Sequence, residues 1–346
     1  APRPRRRRPS DRAGAEPRLA CRLRTYDRGD AARQQRLDAL GARAAARLIR
    51  RWQGAPPATW FTYHCHHKAP DGLGPRLSHG LDCPYVVAEA SISPRQATGP
   101  WAVGHRLAAD AITAADVVVA MSAKDEAGLA AVVRPPARLV RMLPFTALPE
   151  PSAPARPPVP ARFVTVAMMR EGAKRRSYEL LAAALAGLDE RYWRLDVVGD
   201  GPARAAVEAA FAPVADRLRF FGRIDDRAAR VAVVRGATAF LWPAVDEAYG
   251  MALLEAQALG VPAVAGDGHG VPDIVVDGVT GRLAPVGDVR AFRAAVAAAL
   301  DAPARQASMG AAAAEHVRRH HGLEAAAAKL AGILELARAV RAARRR

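Results

Sequence analysis

The distribution of apolar and polar residues divides most of the chain into short apolar runs separated by longer segments of helical spacing. Strand-like and helix-like segments that alternate with short turns are typical of parallel βαβ units. In the C-terminal half, apolar runs predict five strands, over 163–169, 195–198, 218–221, 239–242 and 263–265. This half is therefore predicted to form one Rossmann-like domain.

An earlier series of apolar runs follows the same rule. Strands are predicted over 60–64, 85–88, 116–120 and 138–142, again with helical stretches between them. Because residues 149–160 are rich in Pro, Ala and Ser, they are predicted to link two domains. The sequence thus predicts an α/β fold with two Rossmann-like domains of parallel sheets. Their strand ends are expected to face a cleft, where ligands of open α/β sheets bind.

The two ends of the chain have a different composition. Residues 1–17 are mostly Pro, Arg, Ala and Gly without periodicity, which predicts a disordered basic tail. The first domain is then expected over 18–148 and the second over 161–322. The remainder is alanine-rich and of helical spacing, with a break expected around 320–322. Residues 323–346 are predicted to form a last helix and a basic tail.

Length and charge narrow the class of protein. The 346 residues suffice for about two domains, and Lys and Arg exceed Asp and Glu by 51 − 34 = 17. The basic residues cluster at both ends and are not interleaved with aromatic residues. Nucleic acid is therefore not an expected partner. Contact with an anionic membrane surface fits the basic tails better.

Apolar segments and cysteines indicate the compartment. No apolar stretch reaches the roughly 18 residues of a membrane span, and no signal-peptide core follows the arginine-rich start. Cys21, Cys65 and Cys83 are odd in number and lack Cys-x2-Cys spacing, which suits reduced thiols rather than a disulfide framework. The expected location is the cytoplasm, with peripheral contact with the inner face of the cell membrane as a further expectation.

The most informative motif pairs Glu247 with Glu255 across Gly250. The residues before Gly250 have the pattern of a buried strand and a loop, and those after it have helical spacing. Glu247 is therefore placed on a loop and Glu255 on a helix. A helix that begins near Gly250 directs free backbone N–H groups, those of Gly250, Met251 and Ala252 among them, toward the strand end. Such groups, with the positive end of the helix dipole, bind a diphosphate.

The spacing of the two carboxylates suits a nucleotide. At about 1.5 Å of rise per residue, Glu255 lies roughly 7 Å further along the helix, about the distance from a nucleotide's diphosphate to its ribose hydroxyls. Glu247 is expected to face the sugar beyond the phosphates. The simpler interpretation is an amphipathic helix with solvated glutamates, since Glu is a good helix former. The residues that flank the motif argue against it.

These residues resemble the Glu-x7-Glu motif of family 4 glycosyltransferases, retaining enzymes of the GT-B fold that use nucleotide-sugar donors. The likeness covers about 162–322 and includes Val-Val-Gly-Asp-Gly-Pro at 197–202, Phe-Phe-Gly-Arg at 220–223, Gly-Val-Pro-Ala-Val-Ala at 260–265, Gly-Val-Pro-Asp-Ile-Val at 270–275 and Asp-Gly-Val-Thr-Gly at 277–281. It implies a GT-B fold whose C-terminal helix crosses back to the first domain. It also implies transfer of a sugar from a UDP- or GDP-sugar to an unknown acceptor, which is a glycan, a lipid-linked molecule or a small molecule.

The resemblance assigns further residues to the donor site. Arg170 and Lys174 are expected to hold the diphosphate, and Gly222 and Ile224 to contact the donor. Cations are needed because stabilising charge on the leaving diphosphate is the main electrostatic task. The glycine that commonly precedes the arginine is replaced here, and the gap to the lysine is shorter. Arg175 is therefore an alternative to Lys174.

The run from Tyr63 to His67 contains three histidines and a cysteine. Neighbouring residues of a strand point in different directions, and no second group with metal-site spacing follows, so a metal cluster is not expected. His64 or His67 is instead expected to line the cleft, with Glu89 at the end of the next strand as a second acceptor-side residue. Since no Asp-x-Asp occurs, transfer without metal or cofactor is predicted.

The N-terminus departs from the family pattern. The family's first domain opens with an apolar strand, a glycine-containing loop and a helix, and residues 1–17 show none of these. Those elements are therefore expected to be missing. The main alternative to an active enzyme is a non-catalytic nucleotide-binding remnant. A sugar epimerase or a phosphorylase of the same fold is a second alternative, although the sequence lacks a recognisable acid-base motif for an epimerase.

Overall fold

A computed structural model describes residues 14–21, 23–148, 161–188 and 191–346. The chain divides into two compact units. The first comprises the described residues up to Leu143 and those from Glu324 onward, and the second runs from Pro144 to Leu323. The predicted linker over 149–160 lies outside the described residues, as does most of the predicted tail.

The first unit contains a parallel sheet with strand order β1-β2-β3-β4. Its strands are β1 (Trp60–Cys65), β2 (Tyr85–Ala90), β3 (Val117–Ala120) and β4 (Arg138–Arg141), and its helices up to this point are α1 (Ala31–Trp52), α2 (Gly74–Leu81), α3 (Ala102–Ala114) and α4 (Ala123–Ala130). All four residues of β3 are buried, as expected for a parallel strand covered on both faces. The four strands predicted from the sequence are thus present.

The second unit contains a larger parallel sheet with strand order β10-β9-β8-β5-β6-β7. Its strands are β5 (Ala161–Val166), β6 (Trp193–Val198), β7 (Leu218–Gly222), β8 (Ala239–Trp242), β9 (Ala263–Asp267) and β10 (Gly281–Pro285), and its helices are α5 (Ala173–Leu185), α6 (Arg204–Ala210), α7 (Arg227–Val234), α8 (Met251–Ala258), α9 (Val289–Asp301) and α10 (Pro303–His320). The strand order reverses between β5 and β8. In open α/β sheets, ligands bind at the carboxyl ends of the strands at such a switch point.

Two strands of this sheet differ from the sequence prediction. β5 ends at Val166 rather than at residue 169, because the chain after it bonds to the last residue of β6 and to the turn that follows β6. The Ala167 N–H donates to the Val198 carbonyl (3.0 Å) and the Met169 N–H to the Asp200 carbonyl (2.9 Å). β10 is an additional strand that the sequence analysis did not predict. It contains Gly, Arg and Pro, and so lacks the apolar run that marks the other strands.

The C-terminal helix α11 (Leu323–Arg344) belongs to the first unit from Glu324 onward. Arg341 Nη2 of this helix lies 2.9 Å from the carboxylate of Asp116, which is fully buried immediately before β3. A buried ion pair of this kind orients the helix on the first sheet. The return of the C-terminal helix to the first unit agrees with the fold that the resemblance implies.

Candidate functional site

The loops that follow β5 and β8, together with the starts of the helices α5 and α8, carry most of the predicted site residues. They meet at the switch point of the second sheet. The loop after β8 is tied to α5, because the Val245 N–H donates to the buried Ser177 hydroxyl (3.0 Å). Ala244 and Asp246 in this loop have positive φ of 57° and 46°. Non-glycine residues adopt this region at a cost of order 1 kcal/mol or more, which is typical of functional loops.

Gly250 precedes the first residue of α8 and has a left-handed conformation, with φ 72° and ψ 49°. A Cβ at this position would lie 2.8 Å from Leu253 Cδ1, so conformation and space both favour glycine. No side chain caps this helix end. Within the described part of the chain, the N–H groups of Met251 and Ala252 have no acceptor. They are therefore available to an anion.

Glu255 lies on the exposed face of α8 and lines a pocket of the second unit. Among the described residues its carboxylate has no hydrogen-bond or ion-pair partner. The other lining residues come from α8, from α7 and from the segments beside β5, and they are Thr146, Ala147, Val166, Arg227, Arg230, Val231, Val234, Ala252, Ala256, Ala258 and Leu259. The pocket is thus mainly apolar, with one acidic group and two arginines, a composition typical of small-molecule sites.

Two arginines of α7 form another part of the wall of this pocket. Arg227 Nη2 donates to the Ala147 carbonyl (3.2 Å), and Arg230 Nη1 donates to the Ile224 carbonyl (3.0 Å). Ile224 itself is not among the lining residues and is connected to the pocket only through this hydrogen bond to Arg230. Gly222 ends β7 with φ 67°, and its carbonyl accepts from the Gly199 N–H (2.8 Å). Gly222 and Ile224 were predicted from the sequence, whereas Arg227 and Arg230 were not.

Glu247 is held by two partners beside α8. Its carboxylate forms an ion pair with Lys174 of α5 and accepts a hydrogen bond from Trp242 Nε1 (2.9 Å). The Lys174 ammonium also lies 5.2 Å from the centre of the Trp242 ring, within the range of a cation–π interaction. The side chains of Lys174 and Glu247 are 24% and 15% exposed. Trp242 is a positioning residue that the sequence analysis did not single out.

Arg170 and Arg175 have different surroundings. The Arg170 side chain is exposed, and within the described segments no group bonds to its guanidinium. Arg175 instead forms ion pairs along its own helix, with Glu171 (3.2 Å) and Glu179 (2.7 Å). Of the two alternatives weighed for the second cation, Lys174 is therefore the one that lies beside Glu247.

The predicted acceptor-side residues lie at the carboxyl ends of β1 and β2 in the first unit. His64 Nδ1 is 3.4 Å from Glu89 Oε2, so these two residues are brought together. His67 instead packs its ring against Trp101, with ring centres 5.4 Å apart. Burial lowers the pKa of His67, and the nearby charges of Lys68 and His105 lower it further. In the described residues, no group of three or more His, Cys, Asp or Glu side chains is arranged to hold a metal ion.

Solved glycosyltransferases share this fold. A glycosyltransferase from Rickettsia africae ESF-5 aligns with a TM-score of 0.68 over 87% of this chain and 81% of its own, at 14% identity. Alr3699/HepE of Anabaena, solved in complex with UDP-glucose, aligns with a TM-score of 0.61 over 88% and 89%, at 16% identity. At these identities the likeness shows the fold alone, and that fold is the GT-B fold.

The second unit carries the sequence likeness. The family model described as glycosyl transferases group 1 matches residues 160–302. The phosphatidyl-myo-inositol mannosyltransferase of Mycobacterium leprae (strain TN) is 33% identical over 149 residues, which are 42% of this chain and 39% of that protein. The chain thus spans about two fifths of the length of this curated relative. The second unit is thus the part of the chain that is similar to the glycosyl transferases group 1 family.

Proposed function

We propose that the protein is a retaining glycosyltransferase that moves a sugar from a nucleotide-diphosphate donor to an acceptor alcohol without a metal ion or cofactor. The observation that carries this proposal is the arrangement around α8. A free carboxylate, Glu255, lies about one turn from two free N–H groups, in a pocket at the switch point of a parallel sheet. A structural neighbour solved with UDP-glucose supports a donor of this kind.

The roles follow from the charges and positions of the side chains. Glu255 would accept hydrogen bonds from the ribose hydroxyls, and the Met251 and Ala252 amides would bind the diphosphate together with Arg170 and Lys174. Glu247 would bind the sugar being transferred. In the free site Lys174 is paired with Glu247. A diphosphate would compete for the ammonium, so donor binding would rearrange this pair.

In this reaction the protein mainly positions the two substrates and neutralises the charge on the leaving diphosphate. In the front-face mechanism usually proposed for retaining enzymes of this kind, the departing phosphate takes the proton of the acceptor hydroxyl, and no enzymic base is needed. Fixed N–H groups and cations then stabilise the charge that develops on the leaving diphosphate. This is why the free amides, Arg170 and Lys174 matter more than any general base in the second unit.

The experiment that tests the proposal is a thermal-shift panel of UDP, GDP, ADP and dTDP against the parent protein, Glu255→Ala and Asp216→Ala. Asp216 is an exposed carboxylate on the same unit and serves as the matched control. We expect one nucleotide to stabilise the parent and Asp216→Ala. Glu255→Ala should bind it at least about tenfold more weakly, since bonds to charged groups contribute about 1.5–3 kcal/mol.

The outcomes of the panel separate the proposal from its alternative. A nucleotide-induced shift of equal size in Glu255→Ala would contradict the site assignment. Binding of a nucleotide together with no turnover of any nucleotide sugar would indicate the non-catalytic remnant instead. The comparisons do not favour that alternative, because the family model and the curated relative both describe glycosyltransferases.

Cytoplasmic location with peripheral contact with an anionic membrane surface is a further part of the proposal. Across the described residues, no helix is long and apolar enough to cross a membrane. Helix α1 carries six exposed arginines, Arg33, Arg36, Arg43, Arg47, Arg50 and Arg51. Basic residues near an anionic surface contribute about 1 kcal/mol each. Co-sedimentation with anionic but not zwitterionic vesicles would support the contact, and equal recovery with both would contradict it.

A further inference from the structure

His64 and Glu89 lie opposite one another where β1 and β2 end. The register pairs Tyr63 with Ala88 and Cys65 with Ala90, which leaves His64 opposite Glu89. Both have a left-handed backbone, with φ of 68° for His64 and 52° for Glu89. Non-glycine residues keep such a conformation only where the surroundings enforce it, and such strain clusters at functional sites. Two strained residues therefore face each other at the ligand-binding edge of the first sheet.

Hydrogen bonds fix the protons on the neighbouring imidazoles. The backbone N–H of Lys68 donates to His66 Nδ1 (3.3 Å), so His66 accepts at that nitrogen. Burial lowers the pKa of His66 to about 4, with the charges of His64, His67 and Lys68 adding to the effect. At neutral pH His66 is therefore uncharged, and its single proton lies on Nε2.

The proton of His64 follows from that of His66. The two Nε2 atoms are 2.9 Å apart, and since His66 Nε2 is the donor, His64 Nε2 accepts. The proton of His64 then lies on Nδ1, the nitrogen 3.4 Å from Glu89 Oε2. A chain of donors thus runs from the Lys68 backbone through His66 and His64 toward the Glu89 carboxylate. Such a chain fixes the ring orientation of His64 and places its N–H near the carboxylate.

The carboxylate of Glu89 has acceptor capacity to spare. The Tyr63 hydroxyl hydrogen-bonds to Glu89, which together with burial raises the pKa of Tyr63 to about 12, so Tyr63 remains a donor. Yet Glu89 Oε2 has no hydrogen-bond partner among the described residues, since the contact with His64 lacks hydrogen-bond geometry. The side chain is 23% exposed, and rotation about its last bond exchanges its two oxygens. A carboxylate has about four acceptor positions, so a ligand hydroxyl can fill one.

We propose that Glu89, oriented by His64 and His66, binds a hydroxyl group of a cyclic polyol acceptor. The inference rests on the proposed glycosyltransferase function, because the ligand is the alcohol that would receive the sugar. An alcohol donates its proton to the carboxylate, and its oxygen can accept from the Tyr63 hydroxyl when that hydroxyl turns from Glu89 to the ligand. Tyr63 is 67% exposed and offers a ring face beside the carboxylate for the C–H face of the polyol. Glu89 is thus a binding residue, and the two histidines are positioning residues.

Nitrogen NMR of the histidine side chains tests the arrangement directly. The full chain, labelled with ¹⁵N at histidine, is measured at neutral pH, and resonances are assigned with His64→Gln and His66→Gln. We expect the Nε2–H tautomer for His66 and the Nδ1–H tautomer for His64. A His64 ring protonated on Nε2 would overturn the donor chain.

Titration with myo-inositol and with methyl α-D-glucopyranoside tests binding on the same samples. At least one polyol should shift the His64 nitrogen resonances of the parent. Glu89→Gln should bind it at least about fivefold more weakly, since a bond to a charged acceptor is roughly twice as strong as one between neutral groups. Glu335→Gln, an exposed glutamate on α11, should match the parent.

Each outcome of the titration supports or overturns the proposal. Absence of a shift with both polyols, or equal affinity of Glu89→Gln and the parent, would overturn it. Thermal unfolding of Glu89→Gln shows whether the variant is folded, and the Tyr63→Phe variant provides a second test, with weaker binding expected. The nucleotide panel reports on the second unit separately. Polyol binding without nucleotide binding would leave this site intact and contradict only the donor proposal.

Discussion

Lys174 and Glu247 form an ion pair that joins the first turn of α5 to the loop after β8. The indole N–H of Trp242 donates to the same carboxylate oxygen, and the Lys174 ammonium lies over the indole ring. Two side chains, Lys174 of α5 and Trp242 of β8, therefore fix one carboxylate beside the start of α8. Before any donor binds, these contacts hold the Glu247 carboxylate in one position beside the proposed diphosphate site.

Glu247→Gln should lower sugar transfer by about tenfold or more while changing nucleotide affinity by less than about threefold. The amide keeps the size of the side chain and can still accept from Trp242, but it loses the charge that holds Lys174 and binds the sugar. Transfer is measured as nucleoside diphosphate released from the sugar nucleotide, and affinity as the nucleotide-induced thermal shift.

Lys174→Met removes the other member of the ion pair and is compared with Glu247→Gln. Because Lys174 is also proposed to bind the diphosphate, its removal should weaken nucleotide binding as well as transfer. A nucleotide affinity that falls equally in both variants would mean that Glu247 contacts the nucleotide rather than the sugar. The double variant should be less impaired than the sum of the single variants, because the two residues act as a pair.

Gly250→Ala should destabilise the second unit by about 1–2 kcal/mol and weaken nucleotide binding. Alanine is strained at φ 72°, and its Cβ would meet Leu253 Cδ1 at 2.8 Å. Relief of the backbone strain and relief of the contact with Leu253 would each move the N–H groups at the start of α8. Chemical unfolding and the nucleotide-induced thermal shift measure the two effects.

Gly332→Ala is the matched control for Gly250→Ala. Gly332 lies within α11, and a Cβ there would have no atom within 4 Å. Alanine in the middle of an exposed helix stabilises by about 0.5–1 kcal/mol relative to glycine. Equal effects of the two substitutions would contradict the special role of the backbone at Gly250.

The glutamate motif could be placed from sequence because the pattern around it changes within a few residues. A wholly apolar run becomes β8, a loop with two adjacent acidic residues carries Glu247, and helical spacing returns with α8, where Glu255 lies on the exposed face. The spacing of apolar residues along the chain is sufficient to predict such elements. It also predicted both sheets apart from β10, whose Gly-Arg-Leu-Ala-Pro sequence lacks an apolar run.

The pocket wall could not be placed in the same way. Arg223, Arg227 and Arg230 fall within eight residues, and nothing local distinguishes the two that line the pocket from Arg223, which pairs with Asp225 at the surface. The pairing of His64 with Glu89 likewise depends on the register of two strands 25 positions apart in the chain. Long-range register and helix rotation decide these contacts, and single-sequence patterns do not encode them.

The stability of the second unit should fall as the pH is lowered from about 6.5 toward 4, in part because of His316. Burial lowers the pKa of His316 to about 4, and the neighbouring His321 and His320 contribute. The unfolded state, with a histidine pKa near 6.5, then binds more protons than the folded state within this window. Above pH 6.5 the His316 ring is uncharged in both the folded and the unfolded state, so it lowers the free energy of unfolding only below that pH. Because the ring is only partly buried, we expect a loss of about 1–2 kcal/mol.

His316→Gln should reduce the loss of the free energy of unfolding that accompanies acidification from pH 6.5 toward 4. The measurement is the free energy of unfolding between pH 4 and 7 for the parent, His316→Gln and His79→Gln. His79 is exposed on the first unit and is the control. If His316→Gln loses as much stability on acidification as the parent, the proton uptake belongs to other groups, and His321, whose pKa is also lowered by burial, is the next to substitute.

The stability of the first unit depends on the ion pair between Arg341 and Asp116. Asp116 is fully buried, accepts from the Tyr85 N–H (2.8 Å) and has Arg341 Nη2 at 2.9 Å and Arg344 Nε at 3.3 Å. Arg341→Met should cost about 2–4 kcal/mol, because it leaves a buried carboxylate with a single, more exposed cation. Arg338→Met, at an exposed position of the same helix, should change the free energy of unfolding by less than about 0.5 kcal/mol.

A double variant separates the charge from the packing of Arg341. In Asp116→Asn with Arg341→Met, no buried carboxylate is left without its partner, so much of the stability lost in Arg341→Met should return. Chemical unfolding of the four proteins, parent, two singles and double, gives the coupling energy. If the two losses simply add, the arginine acts through its aliphatic contacts and the ion pair does not orient α11. If they do not add, the return of the C-terminal helix to the first sheet is fixed electrostatically at Asp116.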